Sequence, residues 1–199
     1  MHILSIEKPS FEIVSLQEIK NYLHIDHDFD DELLWALIAT TREAMEAIVQ
    51  KSIVKQTWSY IVRVGVLRSL CCDGLHHPCI SSNMIGIPLP KPPVLKIVSV
   101  SVNDSKLGEE KYTLEKQQSR FCVFMERNDI FLKKDDADVA VVFEAGMAET
   151  SANIPYTLKL ANLMMVANAY NERYSYKSDK FVTDAIRQLL NPFLTLRVS

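Results

Sequence analysis

Glycine is scarce, with five in 199 residues. Phosphate-cradling loops need glycines at fixed spacing, and neither GxGxxG nor GxxxxGK followed by Ser or Thr occurs, so the common nucleotide-binding loops are excluded. Cysteine is sparse as well: Cys71, Cys72, Cys79 and Cys122 are too few and too clustered for a disulfide scaffold of this length, and reduced thiols are expected. No apolar run approaches the roughly 20 residues of a membrane-spanning helix. The opening MHILSIEKPS has neither the cationic nor the long apolar region of a signal peptide, so the expectation is a soluble, unexported product with no membrane partner. Positive charge is not in excess either. With 22 basic against 25 acidic residues and a formal charge of −3, no strong field draws the surface to nucleic acid or anionic lipid.

What is present is apolar periodicity, in a chain 48% hydrophobic and long enough to bury a good core. Val14-Ser15-Leu16-Gln17-Glu18-Ile19 predicts a short capped helix: Ser15 caps, Glu18 reaches back, and Val14 with Ile19 forms a hydrophobic staple. A long amphipathic helix is predicted over 29–50. Leu33, Leu34, Leu37, Ile38, Thr41, Met45 and Ile48 recur at three-to-four spacing, with Glu32, Glu43, Glu46 and Gln50 on the other side. Asp28, Asp30 and Asp31 put negative charge at its positive end and read as caps.

After Lys51 the period shifts to that of a strand over 52–62, rich in β-branched and aromatic residues. Residues 66–87 carry no period and read as an irregular loop. The prolines of 88–93 predict a stiff extended lead-in to a strand over 94–102. Further short strands are expected at 111–115, 121–125, 129–132 and 139–145. Pro155 then opens a helix that is apolar on most sides, with Lys159, Asn162, Asn171 and Arg173 as its polar remainder. A last helix is predicted over 179–191, followed by an apolar tail over 192–199. The fold class expected from this order is α+β, one domain over 1–199: a helical bundle formed by N- and C-terminal helices (14–50 and 154–191) with a small, mostly antiparallel β insertion (52–145).

Four stretches, in this order, resemble the head–tail connector (adaptor, or head-completion) family of tailed bacteriophages, including prophage and gene-transfer-agent versions. They are the capped helix from Val14 to Asp26 leading into the acid cluster and long helix; Gln56-Thr57-Trp58 opening a strand; Ile87-Pro88-Leu89-Pro90-Lys91-Pro92-Pro93-Val94 before a strand ending in Asn103-Asp104; and Glu144-Ala145-Gly146, then Ile154-Pro155 and a helix finishing Ala169-Tyr170-Asn171-Glu172-Arg173. The stretch 66–87 is longer and richer in cysteine than the resemblance leads one to expect. The resemblance implies a structural virion-assembly part without catalytic residues or cofactor. Such a part forms a homo-oligomeric ring between portal protein and tail or stopper proteins and completes the channel through which DNA passes without sequence-specific binding. It works first in the bacterial host cytoplasm and then in the neck of a virion or virion-like particle.

The candidate site residues divide into two sets. Cys71, Cys72, His76, His77 and Cys79 hold ligand types that zinc takes, but their spacing is not a paired CxxC and no second half-site follows. They support the competing reading of a zinc-stabilised regulatory or nucleic-acid-binding module; a third reading, an enzyme with an unrecognised site, has no positive support. His24, Asp26, His27, Asp28, Asp30 and Asp31 are explained more simply by helix ends than by metal or acid–base chemistry. The second set is an interface set. Trp35, Arg42 and Val49 recur every seven residues beside the apolar stripe of the long helix, placing them either in a lateral contact between subunits or at the rim of the core. Phe193, Leu194, Leu196 and Val198 form an apolar terminus suited to docking on a neighbour. Metal analysis of the purified protein separates the zinc module from the connector reading. The expected result is far less than one zinc per chain, and stoichiometric zinc would favour the module.

Overall fold

Ser15 starts the first helix, α1 (Leu16–Leu23), by the capping box read from the sequence. Its hydroxyl accepts from the Glu18 N–H at 3.2 Å, and its own N–H donates to Glu18 Oε2 at 2.7 Å. Val14 and Ile19 on either side are buried in one apolar cluster. The helix ends at His24, in the left-handed region at φ 57, and the Ile25 N–H returns to the Lys20 carbonyl at 2.9 Å. A second helix, α2, spans Asp31–Val49 and ends at Gln50, also left-handed at φ 56. Two more follow late in the chain: α3 (Tyr156–Asn171), entered from Pro155, and α4 (Asp184–Leu190), capped by Thr183. The computed structural model describes residues 2–7, 9–64, 84–117, 120–126, 137–172 and 182–194. The chain divides into two compact units, a helical one from 9–54 and 147–199 and a sheet unit from 1–8 and 55–146.

The helical unit buries Ile13, Val14, Leu34, Ile38, Met45, Leu158, Met165 and Ile186 in a common core. Three positions differ from the helical-wheel expectation. Leu33, predicted inside, is 37% exposed, whereas Glu46 and Asn162, predicted on polar faces, are buried. Burial of Glu46 is explained by what it holds. Its Oε1 accepts from the Ile53 N–H at 2.7 Å and the Val54 N–H at 3.4 Å, and its Oε2 lies 3.3 Å from Arg42 Nη1. Two backbone donors just beyond α2 are thus satisfied by a side chain of that helix, as buried amides require. Asn162 is buried on α3, where its amide donates to Thr41 Oγ1 on α2 at 3.0 Å.

Among the described residues the sheet unit contains eight strands: β1 (His2–Glu7), β2 (Gln56–Arg63), β3 (Met84–Leu89), β4 (Val94–Val102), β5 (Ser105–Lys106), β6 (Tyr112–Gln117), β7 (Arg120–Glu126) and β8 (Asp138–Ala145). They form a five-stranded sheet in the order β1-β2-β8-β4-β5 and a three-stranded sheet in the order β3-β7-β6, with every neighbouring pair antiparallel. In β8 the alternation is strict. Val139, Val141, Phe143 and Ala145 point inward, while Asp138, Ala140, Val142 and Glu144 take the other face. One apolar cluster draws Trp58, Tyr60, Val100 and Phe143 from the first sheet together with Ile85, Ile87, Val123 and Met125 from the second. Packing two sheet faces onto a shared core gives this unit its own hydrophobic stabilisation.

The expected fold class is therefore corrected. The protein is a mixed α/β fold with four α-helices and eight strands in two antiparallel sheets among the described residues, not a helical bundle with a small β insertion. Two misreadings account for the difference. The first residues, for which the sequence reading assigns no element, form β1 at the edge of the larger sheet, so the chain starts in the sheet unit. The prolines of 88–93 do not form one extended lead-in: Pro88 lies inside β3, opposite Cys122. That strand is at a sheet edge, where a residue without an amide donor costs no ladder bond on its open side. Gly86 is also required in β3, because a Cβ there would stand 2.7 Å from the Phe124 ring. The strand expected at 129–132, and the loop expected at 66–87 up to residue 83, lie outside the described residues.

Replacing Glu46 by Ala is expected to destabilise the protein by about 3 kcal/mol or more, the cost of stranding a buried partner charge, with two backbone amides orphaned besides. Glu46→Gln, which keeps an acceptor for the Ile53 N–H, is expected to cost less. Urea unfolding followed by far-ultraviolet circular dichroism measures both.

Candidate assembly surfaces

The start of α2 presents an apolar patch on the helical unit. Phe29 is 93% exposed and Leu33 lies exposed one turn after it; Trp35, 49% exposed, follows Leu33 by two residues and faces away from it. The loop that carries Phe29 is nevertheless well anchored. Lys20 Nζ lies 2.6 Å from Asp28 Oδ1 and 2.9 Å from Asp31 Oδ1, and the Tyr170 hydroxyl donates to Asp30 Oδ2. Asp30 is the residue preceding the helix, yet its side chain makes no capping bond. The acids read from the sequence as caps thus act as ion-pair and hydrogen-bond partners that fix the loop, while Asp31 still favours the positive helix end. The hydrogen bond from Lys20 holds the Asp28 carboxyl below the usual carboxylate range, and the same contacts with Asp28 and Asp31 hold the Lys20 amine above its ordinary value. The His27 ring lies 5.6 Å from the Phe29 ring, centroid to centroid.

On the sheet unit, exposed apolar side chains lie on β1 and β4. Leu4 and Ile6 project from β1, and Leu95 and Val98 project from β4 where its pairing with β8 shifts register. Beside them Glu144 is bound by two lysines, Lys55 and Lys96, each at 2.9 Å. The bond from Lys96, then that from Lys55, keeps the Glu144 carboxyl below its ordinary range. Lys91, left-handed at φ 61, sets its amine 5.2 Å from the Trp58 ring centroid.

The interface residues read from the sequence separate in the structure. Trp35 is on the surface, but Val49 is fully buried and Arg42 is 4% exposed. A lateral-contact role for Arg42 and Val49 is corrected by this burial. Arg42 Nε binds Glu12 at 2.8 Å, and its terminal nitrogens reach Glu43 and Glu46, so the guanidinium is committed inside its own unit. Burial raises the Glu12 carboxyl above its ordinary value despite the opposing Arg42 charge. Phe193 is half-buried against the helical core and Leu194 is exposed. Leu196 and Val198 lie outside the described residues, as do Cys71, Cys72, His76, His77 and Cys79. Among the described residues no group of three or more His, Cys, Asp or Glu side chains is arranged to hold a metal. The sequence reading missed Phe29, and also Tyr156, which is 89% exposed at the start of α3. An aromatic flanked by Asp28 and Asp30, outside the apolar period, was the available signal.

Residues 13–69 match the family model described as phage gp6-like head-tail connector protein. The whole chain superimposes on a chain in the neck of an empty gene transfer agent particle computed with C6 symmetry, with a TM-score of 0.72 and 15% identity, covering 100% of this chain and 98% of the other. The chain shares the fold of that neck chain. A chain in the virion of a native gene transfer agent particle matches at TM-score 0.69 and 16% identity, and one in a native neck computed with C12 symmetry at 0.69 and 14%, each over 100% of this chain and 98% of the other. No curated protein matches the chain in sequence. The connector resemblance read from residue order is thereby borne out, and α1, α2 and β2 fall within the matched segment.

The ion pairs on these surfaces contribute to the dependence of stability on pH. Asp28 and Glu144 titrate lower when folded than unfolded, so their contribution is present above the ordinary carboxylate range and lost as pH falls through the lowered folded values. Lys20 titrates higher when folded; its contribution is present below the ordinary lysine value and lost as pH rises through the folded one. Melting temperature against pH is expected to fall at both extremes in the wild type, and Lys20→Met is expected to flatten the alkaline limb and to reduce the acid limb only by the share of Asp28, leaving that of Glu144.

Proposed function

We propose that this chain is a structural head–tail connector of a phage, prophage or gene-transfer-agent particle, working in the neck as a ring between portal and tail. The observation that carries the reading is whole-length likeness to neck and virion chains of gene transfer agent particles, with the connector family match over 13–69 as independent support. Exposed aromatic and apolar side chains at Phe29, Trp35, Tyr156 and Leu194 are the kind of surface that neighbouring subunits cover. In this reading the chain transforms no substrate. Its work is to bind copies of itself, the portal protein and the tail or stopper proteins, and to line a passage for DNA. The slight negative charge suits a conduit in which phosphates slide, because lysine- and arginine-rich walls would hold them. Assembly takes place in the host cytoplasm, before the part is built into the particle.

Mass measurement in solution, with and without portal protein, tests the reading. The expected outcome is a closed oligomer whose formation is promoted by portal; a monomer indifferent to portal would overturn it. The tail has a separate test, truncation after Leu194, which spares the packed Phe193. Assembly is expected to weaken while the helical dichroism signal stays unchanged.

A further inference from the structure

We propose that the acid-rimmed aromatic patch at the start of α2 in one copy docks on the lysine-rimmed apolar edge of β4 in a second copy. This assignment rests on the ring reading above and names the surfaces that would make the ring. Each surface has an apolar centre, Phe29 with Leu33 four residues later on the one and Leu95 and Val98 on the other. The two carry opposite excess charge. At the patch Asp28 and Asp31 share the single ammonium of Lys20, with Asp26 and Glu32 exposed alongside. At the β4 edge the relation is inverted: Lys55 and Lys96 share the single carboxylate of Glu144, with Lys91 nearby in sequence on the lead-in to the strand.

Both surfaces are also built in advance. The patch loop is fixed by the Lys20 bonds and by Tyr170 to Asp30, and the β4 side chains project from register shifts in a paired strand. A fixed, desolvatable aromatic is the usual form of an interface anchor, because little ordering entropy is lost when it is covered. Complementary charge around it orients the encounter and opposes like-with-like pairing. Because the two surfaces differ, the contact is heterologous, the type that propagates around a ring.

The test uses the full chain with Phe29→Ala and Lys96→Glu, both at exposed positions, with circular dichroism and melting to confirm that each variant folds. Native mass spectrometry over a concentration series is expected to show self-association weakened about tenfold or more in either variant. Mixed in equal amounts, the two variants should form dimers and nothing larger, since each supplies the surface that the other has lost. Wild-type rings with unchanged assembly of either folded variant, or a mixture that stays monomeric, would overturn the surface assignment and leave the ring reading standing. A wild type that never associates, alone or with portal protein, would overturn both.

Discussion

Glu46 is the constraint on which the helical unit depends. Its carboxylate is almost wholly buried, and it satisfies the Ile53 and Val54 amides just after α2 has ended in the left-handed Gln50. That short segment is also where the chain returns. The Ile53 carbonyl accepts from the Met147 and Ala148 amides at 3.1 Å each, and Val54 bridges Ala148. One side chain therefore fixes the strip of backbone to which the second half of the helical unit attaches. Without it, residues 147–148 would have no ordered edge to meet. Arg42 supplies the countercharge, and through Glu12 it ties the residues ahead of α1 to the middle of α2. A carboxylate in such a place is tolerable because every charge it faces is paired or hydrogen-bonded; alone it would be expelled or neutralised.

The contact between α2 and α3 is specified in a similar way. Asn162 on α3 donates to Thr41 on α2, and Thr41 donates in turn to the Ile38 carbonyl at 3.0 Å. Around this pair the seam is apolar, with Leu34, Ile38, Met45, Leu158, Ala161 and Met165 all fully buried. Apolar surface supplies most of the attraction, at roughly 25 cal/mol per Å² removed from water. The polar pair contributes little to the total, but it penalises any rotation of one helix that would strand a buried amide. Both buried polar side chains thus act as locators for helices whose apolar faces are broad.

Local signals in the sequence were read well. The Ser15 box, the bounds of β4 and the strand at 139–145 depend only on neighbours a few residues away, and each stands in the structure as the pattern predicts. Features decided by partners distant in sequence were not legible. A helical wheel puts Glu46 outside because it sees the helix alone, not the Ile53 and Val54 amides that follow. Arg42 reads as an interface residue until Glu12, 30 residues earlier, is seen to bind it. The strand β1 lacked a pattern because most of it is exposed, its stability coming from pairing with β2. At the assembly surfaces, Trp35 and the apolar terminus were visible as residues out of place. Phe29 was not, since a hydropathy reading assigns an aromatic to the core unless the loop around it is known to be fixed.

The sheet edges bear on how copies can meet. Strand addition needs a straight, unpaired edge, and β1 and β4 both carry interruptions: β1 shifts register between Ser5 and Glu7, and β4 between Val94 and Lys96 and again between Ile97 and Ser99. Among the described residues β5 pairs with only Ser101 and Val102, and the Leu107 N–H just after it donates to the Val100 carbonyl at 2.8 Å. Bulges twist an edge away from a partner, and an exposed lysine such as Lys96 adds a charge that an incoming strand would have to cover. Such an edge resists the unlimited growth that flat edges invite, yet it leaves Leu95 and Val98 projecting. Subunits meeting there would do so through side chains, whose shape and charge specify one geometry, whereas backbone pairing repeats at every second residue and specifies none. In the proposed ring, specification by side chains is the physically favoured route to closure at a fixed size.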